Sequence, residues 1–113
     1  VYITTDAEMC LAVAMSDAVV VGSDSVLSDL TLIHKVGTLP LALCAAHKDK
    51  PFYSLTMSLK FEYDYGMNNY PAFKSHDCSD LGIDGKYFEK TPENYISAFF
   101  SNSGSIRGGR SNR

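Results

Sequence analysis

The sequence predicts an α/β fold built on a parallel sheet with crossover helices, and three stretches carry that prediction. Residues 18–21, Ala-Val-Val-Val between Asp17 and Gly22, are too short for a helix and read as a buried parallel strand. Residues 52–56, opened by Phe52 and Tyr53 after the breaker Asp49-Lys50-Pro51, read as a second strand of the same kind. Between them, residues 38–48 carry a helical spacing of apolar side chains. Strand, helix and strand in that order, preceded by another such pair, describe the Rossmann-like second half of a doubly wound domain.

Residues 1–4, Val-Tyr-Ile-Thr, read as the first strand. Thr5 or Asp6 then caps a helix reaching Met15, with Ala7, Cys10, Leu11, Ala14 and Met15 on its apolar face. That helix crosses to the strand at 18–21, and a polar loop follows. Thr38 starts the second helix, which tolerates Pro40 because first-turn amides lack helical partners anyway. Leu39, Ala42, Leu43 and Ala46 form its expected buried face. Residues 62–86 carry tyrosines, asparagines and glycines with scattered apolar positions, and they read as a long irregular segment. Within and beside it, Phe61, Tyr63, Tyr65, Tyr70 and Phe73 serve either as core or as a partner surface, where tyrosine is enriched. Thr91-Pro92-Glu93 has the form of a helix start, Tyr95, Ile96, Phe99 and Phe100 that of its apolar stripe, and Gly104 that of its terminator. Residues 1–104 therefore form the predicted domain, and residues 105–113 a disordered basic tail.

A chain of 113 residues with 45% hydrophobic and 20% charged residues suits one soluble domain. No apolar run approaches a membrane span. Val1 already lies in strand-like sequence, so the chain reads as a piece of a longer polypeptide. Cys10, Cys44 and Cys78 make an odd count without metal-knuckle spacing, which points to a reducing, cytoplasmic setting. Cys10 and Cys44 read as small core residues of the two helices. Cys78, with His76, Asp77 and Asp80 beside it, matches no familiar closed site; neither a metal nor a cofactor is predicted. All three arginines lie at or beyond position 107, leaving residues 1–106 with seven lysines against thirteen acids, a balance of −6. Such a body repels nucleic acid and lacks guanidinium forks for phosphate. The glycine- and arginine-rich tail alone would offer a short RNA contact.

In an open parallel sheet ligands bind beyond the carboxyl ends of the strands. Asp24 stands just past the strand at 18–21, and Lys35, Gly37 and Thr38 gather a cation, a glycine and a hydroxyl at a helix start, where free amides favour anions. Asp24 suits acid–base chemistry and equally suits a turn that hydrogen-bonds nearby amides. Lys35, Gly37 and Thr38 suit a phosphate and equally a solvated helix cap. His34 reads as a loop histidine or a proton carrier.

The run GSDSVLSDLTLIHKVGTLPLALCAAHKDKPFY, the SLKF after it and YFEKTPENYISAFFSNSG together resemble the carboxyl-terminal part of the family containing the alpha, beta and delta subunits of translation initiation factor 2B. The methylthioribose-1-phosphate and ribose-1,5-bisphosphate isomerases belong to the same family. This resemblance spans nearly all of residues 1–104 and rests on four pieces in order: a strand ending in glycine, a small residue and an acid; a lysine-x-glycine-threonine turn; a proline-aromatic strand; and threonine-proline-glutamate. It implies one of two roles. The first is a regulatory subunit that scaffolds guanine nucleotide exchange on initiation factor 2, with sister subunits or a second copy as partners and a sugar phosphate or nucleotide as candidate ligand. The lysine-valine-glycine-threonine turn and the PFY strand lean toward alpha. The second is an aldose–ketose isomerase, with Asp24 in proton transfer and Lys35, Gly37 and Thr38 at the phosphate. Departures favour the first: His34 stands where the isomerases have asparagine, and Ser28-Asp29 where they have an asparagine-glycine turn. Asp29 also adds negative charge near the phosphate site. The isomerase cysteine and arginine-rich phosphate loop lie upstream of the matched region, and neither Cys10 nor Cys44 takes that cysteine's place.

Overall fold

The computed structural model describes residues 1–62, 66 and 87–110. Tyr63, Tyr65, Tyr70, Phe73 and the loop holding Cys78 lie outside the described residues.

The predicted α/β class is the observed one. Strand β1 (Val19–Val21) and strand β4 (Phe52–Leu55) pair in parallel, with Val20 opposite Tyr53. Helix α2 (Thr38–His47) precedes β4. Strand β7 (Ala98–Ser101) adds in parallel on the far side of β4, and β8 (Gly104–Arg107) closes the sheet antiparallel to β7, giving the order β1-β4-β7-β8. A second sheet has the order β5-β2-β3-β6, from β2 (Ser25–Leu27), β3 (Leu32–Lys35), β5 (Phe61–Glu62) and β6 (Phe88–Thr91).

Several sequence expectations change. Residues 1–4 form no strand and stay exposed, because no described strand lies alongside to accept their ladder bonds. The first helix is a 3-10 turn (Asp6–Glu8) followed by the single short helix α1 (Met9–Ala14). Of α1 only Val13 is buried, while Leu11 and Met15, expected inside, are exposed. On α2 the buried stripe is Thr38, Ala42, Cys44 and Ala45, rotated from the expected face so that Leu43 is exposed. That rotation brings Cys44 against α1, where it forms a disulfide with Cys10, with Cα atoms 5.3 Å apart. Cys44 is in the core as expected; Cys10 is exposed and held by the bond.

The polar loop after β1 is a β-hairpin. Ser25 pairs with Ile33 and Val26 with Leu32, and the amide of Leu27 donates to the Thr31 carbonyl at 2.9 Å. Ser28, Asp29 and Leu30 turn the chain, with Leu30 at φ 66° in the left-handed region and the Asp29 carboxylate accepting from the Thr31 amide at 3.1 Å. A three-residue loop ending in a left-handed residue is a common hairpin closure, with glycine favoured there. Here leucine holds the position, packed against the core.

The predicted helix after Thr91 is instead a 3-10 turn (Glu93–Tyr95) leading into β7. Ile96, Phe99 and Phe100 fit a helical stripe, but they are also strong strand formers. Ser97 decides the outcome: its amide donates to the Phe52 carbonyl at 2.8 Å and its hydroxyl accepts from the Phe52 amide at 3.1 Å, laying the segment along β4. Gly104 is accordingly a hairpin residue, opposite Ser101 with φ 117°, and not a helix terminator.

Residues 104–107, of which 105 onward was expected to be disordered, form β8. Beyond it Gly108 is buried, and its amide donates to Ser97 at 2.9 Å. The Arg110 guanidinium donates to the carbonyls of Lys50 and Ala45 and lies 3.8 Å from Asp49. An arginine on the last carbonyls of a helix compensates their unpaired acceptors and the helix dipole. Arg110 is thus engaged at the end of α2 and does not extend as an RNA-binding arm.

The core joins both sheets to α1 and α2 through Val13, Val19, Val26, Leu32, Ala42, Phe52 and Phe99. Among the described residues no helix is long and apolar enough to cross a membrane.

Candidate functional site

The hairpin decides where the candidate residues go. The β2–β3 ladder ends at Ser25 opposite Ile33, and just before it the Asp24 amide donates to the Ile33 carbonyl at 2.9 Å. That bond holds Asp24 at the open end of the hairpin, beside His34 of β3. His34 Nδ1 and Asp24 Oδ2 lie 2.9 Å apart, a hydrogen bond in which an ionised carboxylate accepts and the ring nitrogen donates. Side-chain exposure of 25% for His34 and 41% for Asp24 leaves the pair partly open to water. The imidazole lies over Gly22 at the carboxyl end of β1: a Cβ built on Gly22 would sit 3.7 Å from Cε1 and Nε2.

On its other flank His34 pairs with Glu89 of β6, so His34 stands between Asp24 and Glu89. The Glu89 carboxylate is occupied: its Oε2 accepts from the amides of Gly37 at 2.8 Å and Leu39 at 3.0 Å. These amides belong to the start of α2, the place where a helix attracts an anion. The chain's own carboxylate sits there.

Lys35, one residue on from His34, projects to the opposite face of β3, with Nζ 5.9 Å from the centre of the Phe88 ring. The Thr38 hydroxyl donates to the Lys35 carbonyl at 2.7 Å and closes the turn into α2. The structure brings Asp24 and His34 together, seats Gly37 on Glu89, and gives Lys35 and Thr38 local partners.

Two openings lie nearby. One, of 520 Å³, lies past the carboxyl ends of β1, β4 and β7 and is lined by Gly22, Ser23, Thr56, Lys60 and Phe100. The other, of 300 Å³, is lined by Asp6, Val21, His34, Gly37 and Thr38. Sequence reasoning missed Glu89 and Lys60. Glu89 carries no local signal, since it reaches its place only through the β3–β6 pairing. Lys60 could have been found as the lysine closely following the strand now seen as β4. Among the described residues no group of three or more His, Cys, Asp or Glu could hold a metal ion.

The Glu89 seat makes a stability prediction. Glu89→Ala leaves two amides at the start of α2 without their acceptor and should cost about 1–2 kcal/mol in urea unfolding, with Glu89→Gln losing less. Equal stability of Glu89→Ala and the parent chain would show that water replaces the carboxylate at no cost.

The chain matches the initiation factor 2 subunit family over residues 1–108. It is 27% identical to translation initiation factor eIF2B subunit alpha of Dictyostelium discoideum, over 78% of this chain and 33% of that protein. In three dimensions it is similar to the translation initiation factor eIF-2B of Pyrococcus horikoshii OT3, with a TM-score of 0.82 at 24% identity over 99% of this chain and 41% of that one. It is also similar to the 5-methylthioribose 1-phosphate isomerase of the same organism, with a TM-score of 0.80 at 18% identity over 92% of this chain and 33% of that one. These two likenesses show the shared fold, and the chain spans about a third of the length of the curated relative. A family match that runs through both sheets and the Asp24–His34 hairpin carries one conclusion: the chain belongs to the initiation factor 2 subunit family.

Proposed function

We propose that this chain is part of a non-catalytic regulatory subunit, alpha-like, of translation initiation factor 2B, which scaffolds guanine nucleotide exchange on initiation factor 2. The observation that carries the reading is the Glu89 carboxylate on the Gly37 and Leu39 amides. A phosphate at the start of α2 would have to displace it against like charge. The match to an alpha subunit supports the same reading. Its partners are sister subunits or a second copy, together with initiation factor 2, and its compartment is the cytoplasm. A sugar phosphate or nucleotide acting as regulator is assigned, among the described residues, to the 300 Å³ opening that His34 lines.

One observation favours the sugar-phosphate isomerase as the alternative: Asp24 stands at the carboxyl end of β1, fixed by an imidazole, as an acid–base residue requires. In that role Asp24 transfers the proton, and Lys35, Gly37 and Thr38 hold the phosphate once Glu89 withdraws.

The full-length protein separates the two. At low salt it should capture initiation factor 2 and sister subunits, and it should leave methylthioribose 1-phosphate and ribose 1,5-bisphosphate unconverted. Turnover of either sugar phosphate that disappears in Asp24→Asn would overturn the regulatory reading.

A further inference from the structure

We infer that Cys10 and Cys44 form a thiol–disulfide exchange site, addressed by small thiols and disulfides of the glutathione class, that locks and releases α1. The two Cα atoms lie 5.3 Å apart, inside the range a disulfide spans, so closure needs no backbone rearrangement. The two cysteines differ in burial. Cys44 is 8% exposed and packed in the core, whereas Cys10 is exposed on the outer turn of α1. A small reagent therefore reaches Cys10 first.

Oxidation runs in two exchanges. The Cys10 thiolate attacks one sulfur of oxidised glutathione, forming a mixed disulfide and expelling one glutathione thiolate. The Cys44 thiolate then attacks the Cys10 sulfur and expels the second. Two protein thiols are oxidised, one glutathione disulfide is reduced to two glutathione molecules, and the two thiol protons pass to the departing thiolates. Reduction reverses both exchanges, beginning with attack of a glutathione thiolate on the sulfur of Cys10, the exposed residue of the pair.

The bond matters because α1 has few other core contacts, the buried Val13 and the partly buried Met9. It is six residues long, too short to persist on its own helical bonds, and Val13 is its one buried residue. The 3-10 turn before it carries Asp6 into the 300 Å³ cleft that His34, Gly37 and Thr38 line from the other side. The disulfide ties together the two segments that wall this cleft, and its reduction frees one of them.

The test takes the full chain through graded ratios of reduced to oxidised glutathione, followed by alkylation and peptide mass spectrometry. Cys10 and Cys44 should gain and lose free thiol together, and amide exchange in residues 6–16 should accelerate at least tenfold in the reduced form. Cys10→Ser should show that fast exchange at every ratio, and Cys78→Ser should behave as the parent. A bond that survives excess reduced glutathione, a Cys10 thiol that titrates independently of Cys44, or unchanged exchange on reduction each overturns the inference.

Discussion

Gly108→Ala should destabilise the chain by about 2–4 kcal/mol, the sum of forced overpacking and weakened hydrogen bonds. A Cβ at this position would fall 2.0 Å from the Ile96 carbonyl oxygen and 2.7 Å from its carbon, and neither atom is the movable end of a side chain. The Ile96 carbonyl accepts from the Arg110 amide at 3.1 Å, while the Gly108 amide donates to Ser97 at 2.9 Å. Making room therefore disturbs both bonds and loosens Arg110 from the end of α2. Urea unfolding checks this, with Gly109→Ala as comparison, since its nearest neighbour would lie at 3.1 Å. A disordered tail would tolerate either substitution. An unchanged midpoint for Gly108→Ala would mean that residues beyond β8 do not pack as described.

Phe52→Ala should cost about 3–5 kcal/mol, the range for removing a buried aromatic ring. Phe52 is fully buried and opens β4, between β1 and β7, so its ring meets the core while its backbone exchanges bonds with Ser97. The cavity cannot close easily, because β4 is held in parallel register on both sides. Urea unfolding should show a lower midpoint at unchanged slope. Tyr53→Ala, on the less buried face of the same strand, should cost clearly less. Equal losses for the two would contradict the assignment of faces in β4.

Both predictions concern regions of opposite legibility. The β1, α2 and β4 unit could be read directly, because each element announces itself within a few residues: an apolar run before Gly22, a first-turn proline in α2, a breaker at Asp49-Lys50-Pro51. Asp24 was legible as a strand-end acid for the same local reason. Its contact with His34 was not, because the turn Ser28-Asp29-Leu30 lacks the glycine or asparagine that usually marks a hairpin, and Leu30 takes the left-handed position instead.

What the sequence by itself determined is the α/β class, the parallel β1–β4 core and the carboxylate at the end of β1, since these follow from local periodicity and chain punctuation. Tertiary structure alone decided the rest. Ser97 turned a helical stripe into β7 by bonding Phe52, 45 residues away. Glu89 crossed 52 residues to sit on the Gly37 amide, and Arg110 crossed 60 to reach Lys50. Backbone amides and carbonyls must find partners wherever the fold supplies them, and such partners, so distant along the chain, leave no periodic trace in the sequence.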